Sequence, residues 1–234
     1  MVARTDLTTD EALKARLLLA RRGQSYFSRK LNELSDDELR EPSLLPGWTR
    51  AHLVGHVGLN ARALTRLIEW AATGVETPMY ATPEQRNLDI EFAATLPAQA
   101  LRNLSDHAAI HLNVEWRDLP DEAWSHEVRT AQGRTVPASE TVWMRTREVW
   151  IHAVDLANGG SFDDFPAELL DALIEDVTAN WARKGVGDFT LEATDRDASW
   201  GAGTTVVRGT TADLARWATG RGASEGFPPA PQWL

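Results

Sequence analysis

The chain has 234 residues, of which 43% are apolar and 25% are charged, and these globular values exclude a disordered or fibrous protein. Its net charge of −10 repels phosphate backbones, so we expect no nucleic-acid partner. Because cysteine is absent, disulfides and thiolate metal ligands are excluded, and any sulfur chemistry has to come from a small molecule.

The N-terminal segment from Met1 to Asp10 lacks the apolar run of a signal peptide, and no stretch of about 18 apolar residues occurs. We therefore expect a cytoplasmic protein without a membrane partner. Apolar residues at helical spacing then predict a first helix over residues 8–34, with Thr9 or Asp10 as the N-cap.

Three more helical stretches follow before residue 160. Thr49 predicts the start of a helix from Arg50 to about Ala72, which Gly74 ends. Helical pattern resumes at Pro83, pauses at Pro97 and continues to about Trp116. After a mixed region over residues 124–137, a fourth helix opens at Ser139 and Glu140 and ends near Gly159. Four helices with moderate loops predict a four-helix bundle.

The pattern changes after Gly160. A helix from Ala167 to about Lys184 is followed by β-like runs over residues 189–193 and 204–207, with a hairpin predicted at Gly201–Gly203. A last helix covers residues 212–218. The fold class predicted is α+β, with a metal-binding bundle over residues 1–160 and a small α+β domain over residues 161–234.

Candidate chemistry centres on histidines and glutamates at i,i+4 spacing, which places both side chains on one helix face. Three of these pairs are considered as ligand sources, and no nucleophile elbow, P-loop or dinucleotide-binding glycine motif accompanies them. A catalytic zinc site needs three nitrogen or oxygen ligands and an open fourth position. The pairs are His52/His56, His107/His111 and Glu148/His152.

Apolar neighbours favour two helices as the source of the ligands. Glu148, His152 and His56 all lie in apolar stretches, and a buried carboxylate needs a partner or an ion. His52 competes with His56, although its place near a helix start favours exposure or capping. For the other histidines we expect a polar helix face (His107 and His111) and a loop position (His126).

Five segments of the sequence carry a family pattern, namely Pro46–Thr49, Leu53–His56, Ala131–Glu140, Arg145–Leu156 and Leu214–Gly222. They resemble the mycothiol-dependent maleylpyruvate isomerase family, which belongs to the wider DinB-like group of metal-binding four-helix bundles. The likeness runs from Leu17 to Leu234.

The resemblance implies that His56, Glu148 and His152 hold a divalent metal, zinc or a similar ion, and that mycothiol is the thiol cofactor. It also implies cis-trans isomerisation of maleylpyruvate to fumarylpyruvate, in the degradation of aromatic compounds through gentisate. The metal-held thiolate would add to the double bond, allow rotation and leave. The family's functional arginine falls on Arg221.

From its place in the second domain, Arg221 is expected to clamp a substrate carboxylate or stabilise an enolate. We also expect Arg86 and Tyr80, on the loop after the second helix, to hold anionic groups of the substrate. Two alternatives stay open, namely a mycothiol S-transferase acting on electrophiles and a non-catalytic metal- or thiol-binding protein. A monomer with small-molecule partners is expected.

Overall fold

A computed structural model describes residues 5–222 and 224–233 of the chain. They form two compact units, which divide between Gly159 and Gly160. We call the part up to Gly159 the N-terminal unit and the remainder the C-terminal unit. Among the described residues, no helix is both long enough and apolar enough to cross a membrane.

The N-terminal unit holds five α-helices and one small sheet. Its helices are α1 (Glu11–Asn32), α2 (Arg50–Thr73), α3 (Pro83–Ala94), α4 (Ala98–Asp118) and α5 (Glu140–Asp155). Strands β1 (Glu127–Arg129) and β2 (Thr135–Pro137) pair antiparallel, with Val128 opposite Val136. This hairpin lies in the region over residues 124–137, where the sequence pattern is mixed.

Local capping chemistry sets the ends of the first two helices. Asp10 accepts hydrogen bonds from the backbone N–H groups of Ala12 and Leu13, so α1 begins at Glu11. Thr49 and His52 form a reciprocal capping box at the start of α2. Gly74 adopts φ +73° and ends α2, as its position predicts.

The bundle packs α1 against α5 and α2 against α4, while α2 also contacts α5 and α3. The predicted third helix is two helices, α3 and α4, and α3 lies close against α2. A Cβ at Gly55 would come within 2.8 Å of the Ala93 methyl group, so glycine permits this approach. Buried side chains from all four long helices fill the centre, among them Leu17, Leu64, Leu112 and Val142.

The C-terminal unit combines two α-helices with a three-stranded sheet. The elements are α6 (Ala167–Lys184), β3 (Phe189–Ala193), β4 (Ser199–Gly201), β5 (Thr205–Gly209) and α7 (Thr211–Ala218). β3 is the central strand, antiparallel to β4 and parallel to β5. The α+β class predicted from the sequence is confirmed.

The hairpin predicted at Gly201–Gly203 is wrong. This segment carries the chain from β4 past the start of β3 to β5, and β4 does not pair with β5. The backbone at Gly203 lies directly against the backbone at Phe189, since a Cβ added to Gly203 would lie 2.1 Å from the Phe189 nitrogen. The glycines there permit a crossing of two chain segments, which local turn chemistry does not distinguish from a hairpin.

Candidate metal centre

Helices α2 and α5 bring three ligand-type side chains together in the N-terminal unit. His56 comes from the second turn of α2, and Glu148 and His152 come from successive turns of α5. One ligand atom from each lies within 4.8 Å of the other two. Glu148 Oε1 lies 2.5 Å from His56 Nε2 and 3.4 Å from His152 Nε2. The three residues selected from the sequence therefore form one cluster.

The cluster is largely shielded from solvent, and its central oxygen lacks a hydrogen bond. His56 and His152 are each 8% exposed. Oε1 of Glu148 is buried without a hydrogen-bond partner, although it lies 2.5 Å from His56 Nε2. Burying a carboxylate oxygen without a hydrogen bond costs free energy, and a cation between the three side chains would offset this cost. Two imidazole nitrogens and one carboxylate oxygen form a donor set that suits catalytic zinc.

Asp155 orients His152 from the last residue of α5, and its part was not anticipated from the sequence. Its carboxylate is fully buried, and Oδ2 accepts a hydrogen bond from His152 Nδ1 over 2.8 Å. A carboxylate on one ring nitrogen fixes the tautomer and leaves the other nitrogen free for a metal. The only sequence signal was an aspartate three residues after a histidine on one helix, which is common in proteins.

Charges within the cluster shift the pKa values of all three candidate ligands. Burial lowers the pKa of His56, and the attraction of Glu148 does not reverse this. Burial alone would raise the pKa of Glu148. The attraction of the two histidines is larger and holds this pKa well below its usual value. Burial alone would lower the pKa of His152. Glu148 and Asp155 favour the charged ring more strongly and raise this pKa to about 9. Without a metal, His152 is thus the protonated member at neutral pH.

Arg86 and Tyr80 lie beside this cluster. Arg86 Nη2 lies 3.3 Å from His56 Nδ1, and the guanidinium stacks over the Tyr80 ring at 5.7 Å from its centroid. Burial raises the pKa of the Tyr80 hydroxyl. Arg86 was expected on a loop, but it belongs to the first turn of α3, whose N-cap is Thr82. A cation and a phenol hydroxyl therefore stand next to one candidate ligand.

The remaining candidates lie elsewhere. Arg221 belongs to the C-terminal unit, where its Nη1 donates to the carbonyl oxygen of Thr219 at the end of α7. His52 accepts hydrogen bonds from Thr49 in the capping box, and its Nε2 is 3.3 Å from Glu91. The other three histidines lie outside the cluster: His107 and His111 are exposed on α4, and His126 Nδ1 contacts the Ala71 carbonyl oxygen at 2.6 Å.

Comparison with known proteins gives family matches for both parts of the chain. Residues 20–157 match the model of the mycothiol maleylpyruvate isomerase N-terminal domain, and residues 164–227 match that of the MDMPI C-terminal domain. No curated protein matches the chain.

Two solved structures are similar over nearly the whole chain. The crystal structure of the mycothiol-dependent maleylpyruvate isomerase is 47% identical, with a TM-score of 0.91, over 94% of this chain and 97% of that one. A histidine-to-alanine mutant of that isomerase gives a TM-score of 0.90 with the same identity and coverage.

Proposed function

The chain belongs to the mycothiol maleylpyruvate isomerase family, and we propose that it converts maleylpyruvate to fumarylpyruvate with zinc and mycothiol as cofactors. The observation that carries the proposal is the buried His-Glu-His donor set, with one oxygen unsatisfied. It occurs in a chain 47% identical to a solved isomerase of that name. The proposal includes a cytoplasmic location and a role in gentisate degradation, both from the family resemblance.

His56, Glu148 and His152 would hold the metal through Nε2, Oε1 and Nε2. When bound, zinc would stabilise the mycothiol sulfur as a thiolate, which would supply the nucleophile for a reversible addition to the double bond. Asp155 keeps the proton of His152 on Nδ1, which leaves Nε2 aimed at the metal position. The low exposure of both histidines limits competition from water.

Arg86 is proposed to bind a carboxylate of the substrate. A guanidinium only donates hydrogen bonds, so Nδ1 of His56 is the acceptor in the present contact. With a metal held at Nε2, His56 would carry its ring proton on Nδ1, and Arg86 would lose this acceptor. The guanidinium would then be available to an anion, to which the Tyr80 hydroxyl could add a further hydrogen bond.

Arg221 is proposed as the catalytic arginine, on the strength of the family resemblance. In that role it clamps a substrate carboxylate or stabilises the negative charge that develops on the carbonyl oxygen after addition. In the structure its Nη1 donates to the Thr219 carbonyl oxygen at the end of α7.

The fate of the thiol tests this function against its alternatives. With zinc-loaded protein and a trace of mycothiol, we expect complete conversion of maleylpyruvate and full recovery of the thiol. A mycothiol S-transferase would instead consume one thiol per product. A binding protein would leave the substrate unchanged. Either result would overturn the isomerase proposal.

A further inference from the structure

A cavity lies in the N-terminal unit between α1 and α4, away from the three candidate ligands. α1 packs mainly on α5 and α4 mainly on α2, so the seam between α1 and α4 is loosely filled. The cavity in this seam has a volume of about 340 Å³. We call it the seam cavity. Its lining mixes apolar side chains (Ile110, Leu112 and Trp116) with polar ones (Gln24, Ser28 and Asn113), and three charged residues also line it.

Arg145 of α5 lines the cavity and is only 2% exposed. Its Nη1 donates to the Val57 carbonyl oxygen at 2.7 Å and to Asn60 Oδ1 at 3.0 Å. Its Nη2 donates to Gln24 Oε1 at 2.8 Å. All three acceptors are uncharged, and within the described part of the chain no carboxylate lies at ion-pair distance from Arg145. Burial lowers the pKa of this guanidinium to about 10.

A buried cation held only by neutral oxygens is unusual, because hydrogen bonds do not cancel its charge. The nearest acidic candidate on α5 is Glu148, one helical turn away, and that carboxylate faces two histidines. The other arginine of the cavity, Arg21, is already paired with Asp6. Arg145 is therefore a buried positive group without an ion-pair contact among the described residues, although the charge of Glu148 attracts it over a longer distance.

We propose that the seam cavity binds a small organic monocarboxylate with an apolar body. The carboxylate would replace the Gln24 amide as the acceptor for Arg145, and the body would lie against Ile110 and Trp116. The indole N–H of Trp116 already donates to Thr141 Oγ1, so the Trp116 ring offers the ligand an apolar surface. Asp106 also lines the cavity, and its charge disfavours a ligand with a second carboxylate, such as maleylpyruvate.

The position of Arg145 links this cavity to the metal centre. Val57, whose carbonyl it holds, directly follows His56, and Arg145 precedes Glu148 by one turn of α5. An anion on Arg145 would thus alter the charge that Glu148 and a bound metal experience. The seam cavity would act as a ligand site that tunes the neighbouring centre through one side chain.

Calorimetric titration of the zinc-loaded full chain with benzoate tests the proposal, with benzamide as the uncharged analogue. We expect benzoate to bind with a Kd of about 1 mM and benzamide at least about tenfold more weakly. The informative variant is Gln24→Glu, which places a carboxylate where Arg145 already donates. It should weaken benzoate binding by at least about tenfold, because the internal carboxylate occupies the guanidinium.

Gln99→Glu is the matched control, since it makes the same change at an exposed position of α4 outside the cavity. We expect it to bind benzoate like the wild type. Ile110→Glu, at a residue 60% exposed in the cavity wall, should also weaken binding by charge repulsion. Equal benzoate affinity in wild type and Gln24→Glu would place the anion elsewhere, the metal included, and overturn the proposal. Absence of binding at about 10 mM benzoate would do the same.

Discussion

Glu148 is the residue on which the proposed centre depends most, because its carboxylate lies between the two histidines proposed as ligands. Its low pKa means that it is ionised throughout the neutral range. Without a metal, part of its charge is met by a proton on His152. The ligand atoms are therefore held close together before any ion arrives, which reduces the ordering cost of metal binding.

Removing the charge of Asp155 should weaken zinc binding. Asp155→Asn retains a hydrogen-bond acceptor but loses the negative charge that supports His152, so we expect zinc affinity to fall about tenfold. Competition with a chelator of known affinity measures this. Asp118→Asn, at the exposed end of α4, is the control and should bind zinc like the wild type. Unchanged affinity in Asp155→Asn would show that Asp155 does not support the ligand.

Zinc binding should release a proton at neutral pH. The pKa of His152 is raised to about 9, so the ring is charged below that pH and the proton must leave when Nε2 binds the ion. The lowered pKa of His56 leaves that ring neutral. Apparent zinc affinity should rise about tenfold per pH unit between about pH 6.5 and 8.

Calorimetry in buffers of different ionisation enthalpy measures the protons released. His111→Gln, at an exposed histidine, should leave the number of protons released per zinc ion unchanged. A release near zero at pH 7 would contradict the assignment of His152 as the protonated member of the cluster.

The three residues proposed as ligands from the sequence lie together in the structure, but parts of their surroundings were not predicted. The apolar context of His56 and the family motif separate it from His52, whose capping geometry the structure shows. Asp155 was missed because its contact with His152 depends on side-chain direction within the packed bundle. Arg86 was predicted on a loop, whereas Thr82 caps α3 and Pro83 opens it, so that Arg86 belongs to the first helical turn.

At the scale of elements, helices were predictable where their caps are local. α2 starts and ends at the residues that Thr49 and Gly74 specify, and α6 has the predicted bounds. Sheet order was not predictable, because the pairing of β3 with β5 joins segments separated along the chain. The short β1–β2 hairpin was also missed, since three-residue strands carry little periodicity.

The cap of α2 gives a prediction at this scale, because that helix carries His56. Thr49→Ala removes the hydroxyl of the capping box and should lower the free energy of unfolding by about 1 kcal/mol. Urea denaturation of the metal-free protein measures the change. Thr73→Ala, at the exposed last residue of α2, serves as the comparison and should cost less. Equal losses in both variants would argue against a stabilising cap.

For the whole molecule, the family matches cover both units and fit the α+β class inferred from the residue pattern. The net charge of −10 opposes the approach of a dicarboxylate such as maleylpyruvate. Counter-ions screen this repulsion over about 8 Å at physiological salt, so local cations have to provide the attraction. Arg86 beside His56 is one such group in the N-terminal unit, and Arg221 is the one proposed from the C-terminal unit.

The most direct test of the account is isomerisation of maleylpyruvate by wild type, His56→Ala and His52→Ala, each stripped and reloaded with zinc, with and without mycothiol. We predict turnover only when zinc and mycothiol are both present. His56→Ala should lose bound zinc and more than about 100-fold of the rate, whereas His52→Ala should keep both. Equal loss of zinc in the two variants, or isomerisation without a thiol, would contradict the account.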